Sequence, residues 1–116
     1  MRLLRSDEQE WESGKGYRKR KLVPEEILGI EGSFVQEVDF KRGEAVPSHY
    51  HRKTKEVFIA LDPAHFVING ERITLMPDDA LVCEPGDVHG SPAADHRSRI
   101  LVIKVGAVQD DTVWVD

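Results

Sequence analysis

From residue 17 onward, apolar and β-branched side chains recur in short runs broken by Gly, Pro, Asp and Asn. No stretch keeps the three-to-four-residue period that would give a helix one apolar face. The pattern predicts strands over residues 17–23, 33–40, 46–51, 55–61, 65–69, 71–75, 80–84, 88–91, 99–105 and 112–115. One hairpin is specified directly. Two alternating runs flank Asn69-Gly70, and this residue pair tolerates the positive φ of a type I′ turn. About ten short strands at this spacing predict an all-β chain, closed as a barrel or folded as a double sheet. Residues 1–15 are polar, and Ser6 with Gln9 has the spacing of a capping box. A short amphipathic turn carrying Trp11, ended by Gly14 and Gly16, is expected there.

Composition narrows the picture. With 116 residues, 40% of them hydrophobic and 32% charged, the chain suits one soluble domain, read as 1–116. It offers no apolar run of about 20 residues for a membrane span. A net charge of -5 argues against nucleic acid as a partner, because phosphate binding draws on clustered positive charge. The opening Met1-Arg2-Leu3-Leu4-Arg5 lacks the apolar core of a secretory signal. Cys83 is the one cysteine, so no internal disulfide forms, and a reducing cytoplasm is the expected compartment.

The candidate chemistry lies in four residues. His49 and His51 are two apart on a predicted strand, so their imidazoles share a face. Glu56 follows after a short turn and shares a face with Phe58 and Ala60. His89 comes directly after the turn sequence Glu84-Pro85-Gly86-Asp87-Val88, which would send a strand back past the first pair. Imidazole suits the first-row transition metals, and one carboxylate adds a hard, charged oxygen.

Gly43-x5-His49-x-His51-x4-Glu56 resembles the first motif of the cupins, and Gly86-x2-His89 resembles the heart of the second. The likeness spans about residues 33–105, leaving an N-terminal extension, 1–32, and a tail outside it. It implies a jelly-roll (double-stranded β-helix) barrel holding one divalent transition metal, Fe, Mn, Ni, Co, Cu or Zn, through His49, His51, Glu56 and His89. Turn and neighbouring positions depart from the family pattern: Pro63 and Asp78 replace Gly, Glu84 replaces Pro, and Ala93 replaces Asn. The resemblance implies a metal-dependent enzyme on a small polar metabolite, of dioxygenase, isomerase or decarboxylase type. The alternative is a non-catalytic barrel that binds or senses a sugar or carboxylate. A storage or structural barrel is the weaker third reading, because burying three His and a Glu without a purpose is unfavourable.

Other residues have plainer readings. His65 and His96 are read as hydrogen-bonded or solvated side chains, and Cys83 as a small buried one. Arg18-Lys19-Arg20-Lys21 reads as charge guarding a strand edge. Arg52-Lys53-Thr54-Lys55 would sit beside the pocket, either as a solvated loop or as an attractor of carboxylate or phosphate. Val57, Ile59 and Leu61 share the outer face of their strand, which points to a homodimer that covers them. Trp114 is placed on that same surface.

Overall fold

The computed structural model describes residues 1–115. A single 3-10 turn (Ser6–Glu8) precedes β1 (Glu12–Ser13), β2 (Arg18–Val23), the one-turn helix α1 (Glu25–Leu28), β3 (Phe34–Phe40), β4 (Val46–His51) and β5 (Lys55–Ala60). Then follow β6 (Ala64–Ile68), β7 (Glu71–Leu75), β8 (Ala80–Cys83), β9 (His89–Ser91), β10 (Ser98–Val105) and β11 (Thr112–Trp114). One sheet has the order β1-β2-β3-β10-β5-β8 and the other β11-β4-β9-β6-β7, with antiparallel pairing throughout. The two sheets face each other as the jelly-roll expectation requires. Among the described residues no helix is long and apolar enough to cross a membrane.

Period-two alternation sorts each strand into an inner and an outer face. In β5, Glu56, Phe58 and Ala60 are buried while Val57 and Ile59 are half-buried outside. In β10, Ser98, Ile100 and Val102 are buried. The inner face also changes character along its length. Val38, Phe40, Phe58, Ala60, Ile100 and Val102 form its apolar part, and all of these but Ala60 also line a cavity. At the other end the same strands present Gln36, Glu56 and Lys104 to that cavity. One continuous face is therefore apolar along one part and polar along the other.

The ten expected strands are all present, with ends shifted by at most one residue. Asn69 (φ 49°) and Gly70 (φ 82°) make the tight turn between β6 and β7. Two short elements were not anticipated. β1 has two residues and α1 four, too few to carry a period. Sequence still marks the ends of α1, with Pro24 before it and Gly29 (φ 78°) after it. The N-terminal turn exists without the capping box: Ser6 lies inside it, and the Gln9 amide donates to the Leu22 carbonyl at 3.0 Å. Trp11 lies beyond the turn, under the guanidinium groups of Arg18 and Arg20 at 4.0 and 4.5 Å.

The sheets reach past the motif-bearing span. β2 joins β3 from the N-terminal side, and β11 joins β4 from the tail. β1 pairs only with Arg18 and Lys19, so Arg20 and Lys21 of the basic run still lie on the open side of β2. Alternation sends Arg18 and Arg20 outward onto the buried carboxylates of Asp39 and Glu37, at 2.7 and 2.9 Å. Lys19 points inward, opposite Val38. On the outer face, Val57 and Ile59 adjoin Leu101 and Ile103 of β10 and the exposed Val82. This is the apolar surface on which the expectation of a homodimer rests.

Candidate metal centre

Three features of the backbone assemble the site. β4 places His49 and His51 on one face, and β9 sets His89 directly opposite His49. Between Val46 and His49 the β4–β9 register slips. A bulge of this kind bends a strand and re-aims the residues beside it. Glu56 enters from the facing sheet, buried near the start of β5. Ligand atoms of His49, His51, Glu56 and His89 all lie within 4.8 Å of one another. Donors about 2.0–2.2 Å from a shared ion can be at most some 4.4 Å apart, so a few tenths of an ångström of inward movement would complete a coordination shell.

The hydrogen bonds decide which atoms face the centre. The Nδ1 atoms of His49 and His89 lie 2.9 Å from the carbonyls of Pro47 and Asp87. A carbonyl only accepts, so both Nδ1 atoms carry the proton and both Nε2 atoms are turned to the cluster, that of His49 free to ligate and that of His89 bonded to Glu56. His51 Nδ1 lies 3.2 Å from Thr112 Oγ1. Its Nε2 is buried without a hydrogen-bond partner, although Glu56 Oε1 is 2.5 Å away. The distance is short, but the angles do not make a hydrogen bond, and this buried nitrogen faces Glu56 within the cluster. Glu56 Oε1 is also 3.2 Å from His89 Nε2.

Such a cluster needs positive charge at its centre. Burial alone would raise the Glu56 pKa, yet His51, His89 and Lys104 outweigh it and hold the carboxyl far below its usual range. His89 is raised, because Glu56 and the Asp87 carbonyl overcome its burial. His49 is pushed down to about 4 by burial, with His89 and His51 adding to the fall against the Pro47 carbonyl. It is neutral near pH 7 and available as a donor. A shared proton or a metal cation satisfies these lone pairs, and three imidazoles with one carboxylate suit a transition metal.

The turn before His89 is tightly held. Gly86 (φ 91°) donates to the His51 carbonyl at 2.8 Å. Val88 donates to Asn69 Oδ1 at 2.9 Å, and Asn69 Nδ2 donates to Asp87 Oδ1 at 3.2 Å. The hairpin tip thus clamps the turn that aims His89. The Asp87 carbonyl orients that ring although the family's Asn is absent.

Beside the cluster lies a cavity of about 210 Å³, lined by Tyr17, Lys19, Gln36, Lys104 and Trp114 together with the quartet. Sequence reasoning missed most of these residues. Trp114 does not stand on the outer apolar surface; its ring packs on His49 at 4.7 Å between centroids. Thr112 and Trp114 reach the site because β11 pairs with β4, and nothing in the local sequence announces that pairing. The Arg52–Lys55 loop stays outside the cavity, with Lys55 bound to Glu84 at 3.2 Å. His65 bonds Thr74, and His96 donates to the Pro63 carbonyl at 2.9 Å; neither joins the quartet. Cys83 is 2% exposed, and its thiol is pushed up to about 12 by burial, then by Glu56 and Asp87. It is neutral and unreactive.

No family model matches the sequence, and no curated protein matches it. Solved structures do. KdgF from Halomonas sp. superposes with a TM-score of 0.79 at 19% identity, over 95% of this chain and 97% of the other. The polyketide cyclase RemF from Streptomyces resistomycificus gives 0.78 at 18% identity, over 96% and 89%. An RmlC-like cupin from Shewanella frigidimarina NCIMB 400 gives 0.76 at 19% identity, over 90% of each chain. The chain has the cupin fold.

Proposed function

We propose that this barrel binds one divalent transition metal through His49, His51, Glu56 and His89 and acts there on a small polar metabolite. The observation that carries the reading is the convergence of donor atoms. The Nδ1 atoms of His49 and His89 are held by carbonyls, and the buried His51 Nε2 has no other partner. When bound, the metal would supply Lewis acidity and positions for water or substrate oxygen. Trp114 and Phe58 shield the cluster on two sides, and Tyr17 offers a phenol to the same cavity. Burial, then Glu56 and Glu12, raise the Tyr17 pKa, so the phenol keeps its proton and can donate it. RemF, a polyketide cyclase, is an enzyme built on this fold, which supports an enzymatic reading without naming the reaction.

Elemental analysis of protein purified without chelator should find about one transition-metal ion per chain. His89→Ala and His49→Ala should lose it while keeping the β-rich circular dichroism of the parent. Protein that purifies metal-free and gains no thermal stability from Fe, Mn, Ni, Co, Cu or Zn would overturn the reading. A screen of small acids and sugars that finds stabilisation but no product would move it to the non-catalytic binding barrel.

A further inference from the structure

The cavity has a second chemical wall, opposite the imidazoles. Lys19 of β2 pairs with the inward-facing Val38, and Lys104 of β10 pairs with Glu56. Directly paired residues share a face, so both lysines project into the barrel, where both line the cavity with Gln36. Gln36 is 4% exposed, and Lys21 pairs with it across β2 and β3. Lys19 reaches its nearest carboxylate, Glu12, only at 4.0 Å. Lys104 lies 5.9 Å from the centre of the Phe34 ring. The chain as a whole carries a net charge of -5, so two inward lysines without a close ion pair run against its overall balance. Crowding half-buried cationic side chains beside a cationic centre is unfavourable unless an anion joins them.

We propose that Lys19 and Lys104, with the Gln36 amide, form the subsite for a carboxylate group of the substrate, whose remaining oxygen functions face the histidines. The proposal rests on the metal-centre reading and narrows its substrate to small carboxylic acids. Carboxylate is favoured over phosphate by what lines the cavity. Among the described residues it has no arginine and no helix N-terminus, which are the usual partners of a phosphate dianion. Two point charges and an amide match one carboxylate. A volume of about 210 Å³ admits only a small molecule, since drug-sized ligands fill roughly 300–1,000 Å³.

The test uses metal-loaded, full-length protein and calorimetric titration with malonate, succinate, their uncharged diamides and inorganic phosphate. At least one dicarboxylate should bind, more weakly as salt is raised, and its diamide should bind at least tenfold more weakly. Lys19→Met and Lys104→Met should each weaken the dicarboxylate about tenfold or more, at unchanged metal content, while Lys53→Met outside the cavity changes nothing. Lys104→Arg should restore part of the loss. The idea is overturned if loaded wild-type protein binds no dicarboxylate, if acid and diamide bind equally, if phosphate binds more tightly than either acid, or if folded Met variants keep wild-type affinity. The wild-type comparisons stand even if a variant fails to fold. Loss of metal from the wild-type protein would instead mark failure of the metal-centre reading, and metal content is measured separately in every sample.

Discussion

Each histidine of the cluster has one nitrogen committed to the protein and one turned to the centre, and this division makes the site specific. Two of the commitments are to carbonyls two residues earlier in the chain, at Pro47 and Asp87, so backbone conformation sets those rings. The third depends on a hydroxyl from another strand, that of Thr112. Removing it should be felt at the metal rather than in the fold. Thr112→Val is expected to weaken metal affinity about 10- to 100-fold, as losses of partners to ligating imidazoles do. Competition against a chromophoric chelator reads this directly, and an unchanged affinity would mean that His51 is held by packing alone.

Two elements hold the centre in shape. β9 crosses β4 where the register slips, and Gly90 makes the crossing close. A Cβ there would stand 2.8 Å from the Val46 carbonyl and 3.1 Å from the Ser48 backbone. Neither neighbour is a flexible side chain, so Gly90→Ala should cost about 1–3 kcal/mol in urea unfolding and displace the adjacent His89. A variant of parental stability would show that the strands can separate freely. β11 is anchored by Asp111, whose carboxylate accepts from the backbone of Arg52, Lys53 and Thr54 and from the Thr54 hydroxyl, at 2.8–3.0 Å. Burial would raise its pKa, but these donors prevail and hold it down at about 2. An unfolded aspartate titrates near 3.9. The anchor's contribution is therefore complete above about pH 4 and fades as the pH falls toward 2. Asp111→Asn should flatten the acid limb of the thermal stability profile in that window; a limb as steep as the parent's would assign acid sensitivity to other carboxylates.

The molecule as a whole divides its labour along the barrel axis. Phe58 and Phe66, which meet at 5.2 Å between ring centroids, line the cavity that holds the ionisable groups, whereas the core residues Ala60, Ala64 and Leu75 lie away from it. Stability from that part of the core and from the metal centre should then be independent. Leu75, 6% exposed on β7, does not line the cavity. Leu75→Ala should cost about 2–5 kcal/mol. Saturating metal should add about 2.7 kcal/mol at a hundred times its Kd, and by the same amount in variant and parent, because distant sites add. Thermal or urea melts with and without chelator measure both terms, and a metal increment that disappears in the variant would show that the two are coupled.

Alternation, turn residues and motif spacing were sufficient for ten strands, the Asn69-Gly70 hairpin and all four members of the donor cluster. These features are local: a strand's period and a turn's φ are written in the residues that adopt them. The facing of two sheets then brings His49 and His51 to Glu56. Tertiary structure alone decided the rest. β11 lies against β4, so Thr112 and Trp114 reach the histidines from a tail that carries no motif. β2 pairs with β3, so its basic run divides into ion pairs outside and Lys19 inside. Strand partnership is a contact between residues distant in the chain. Its energy comes from the surface that the finished barrel buries, and a sequence read one segment at a time does not contain that surface.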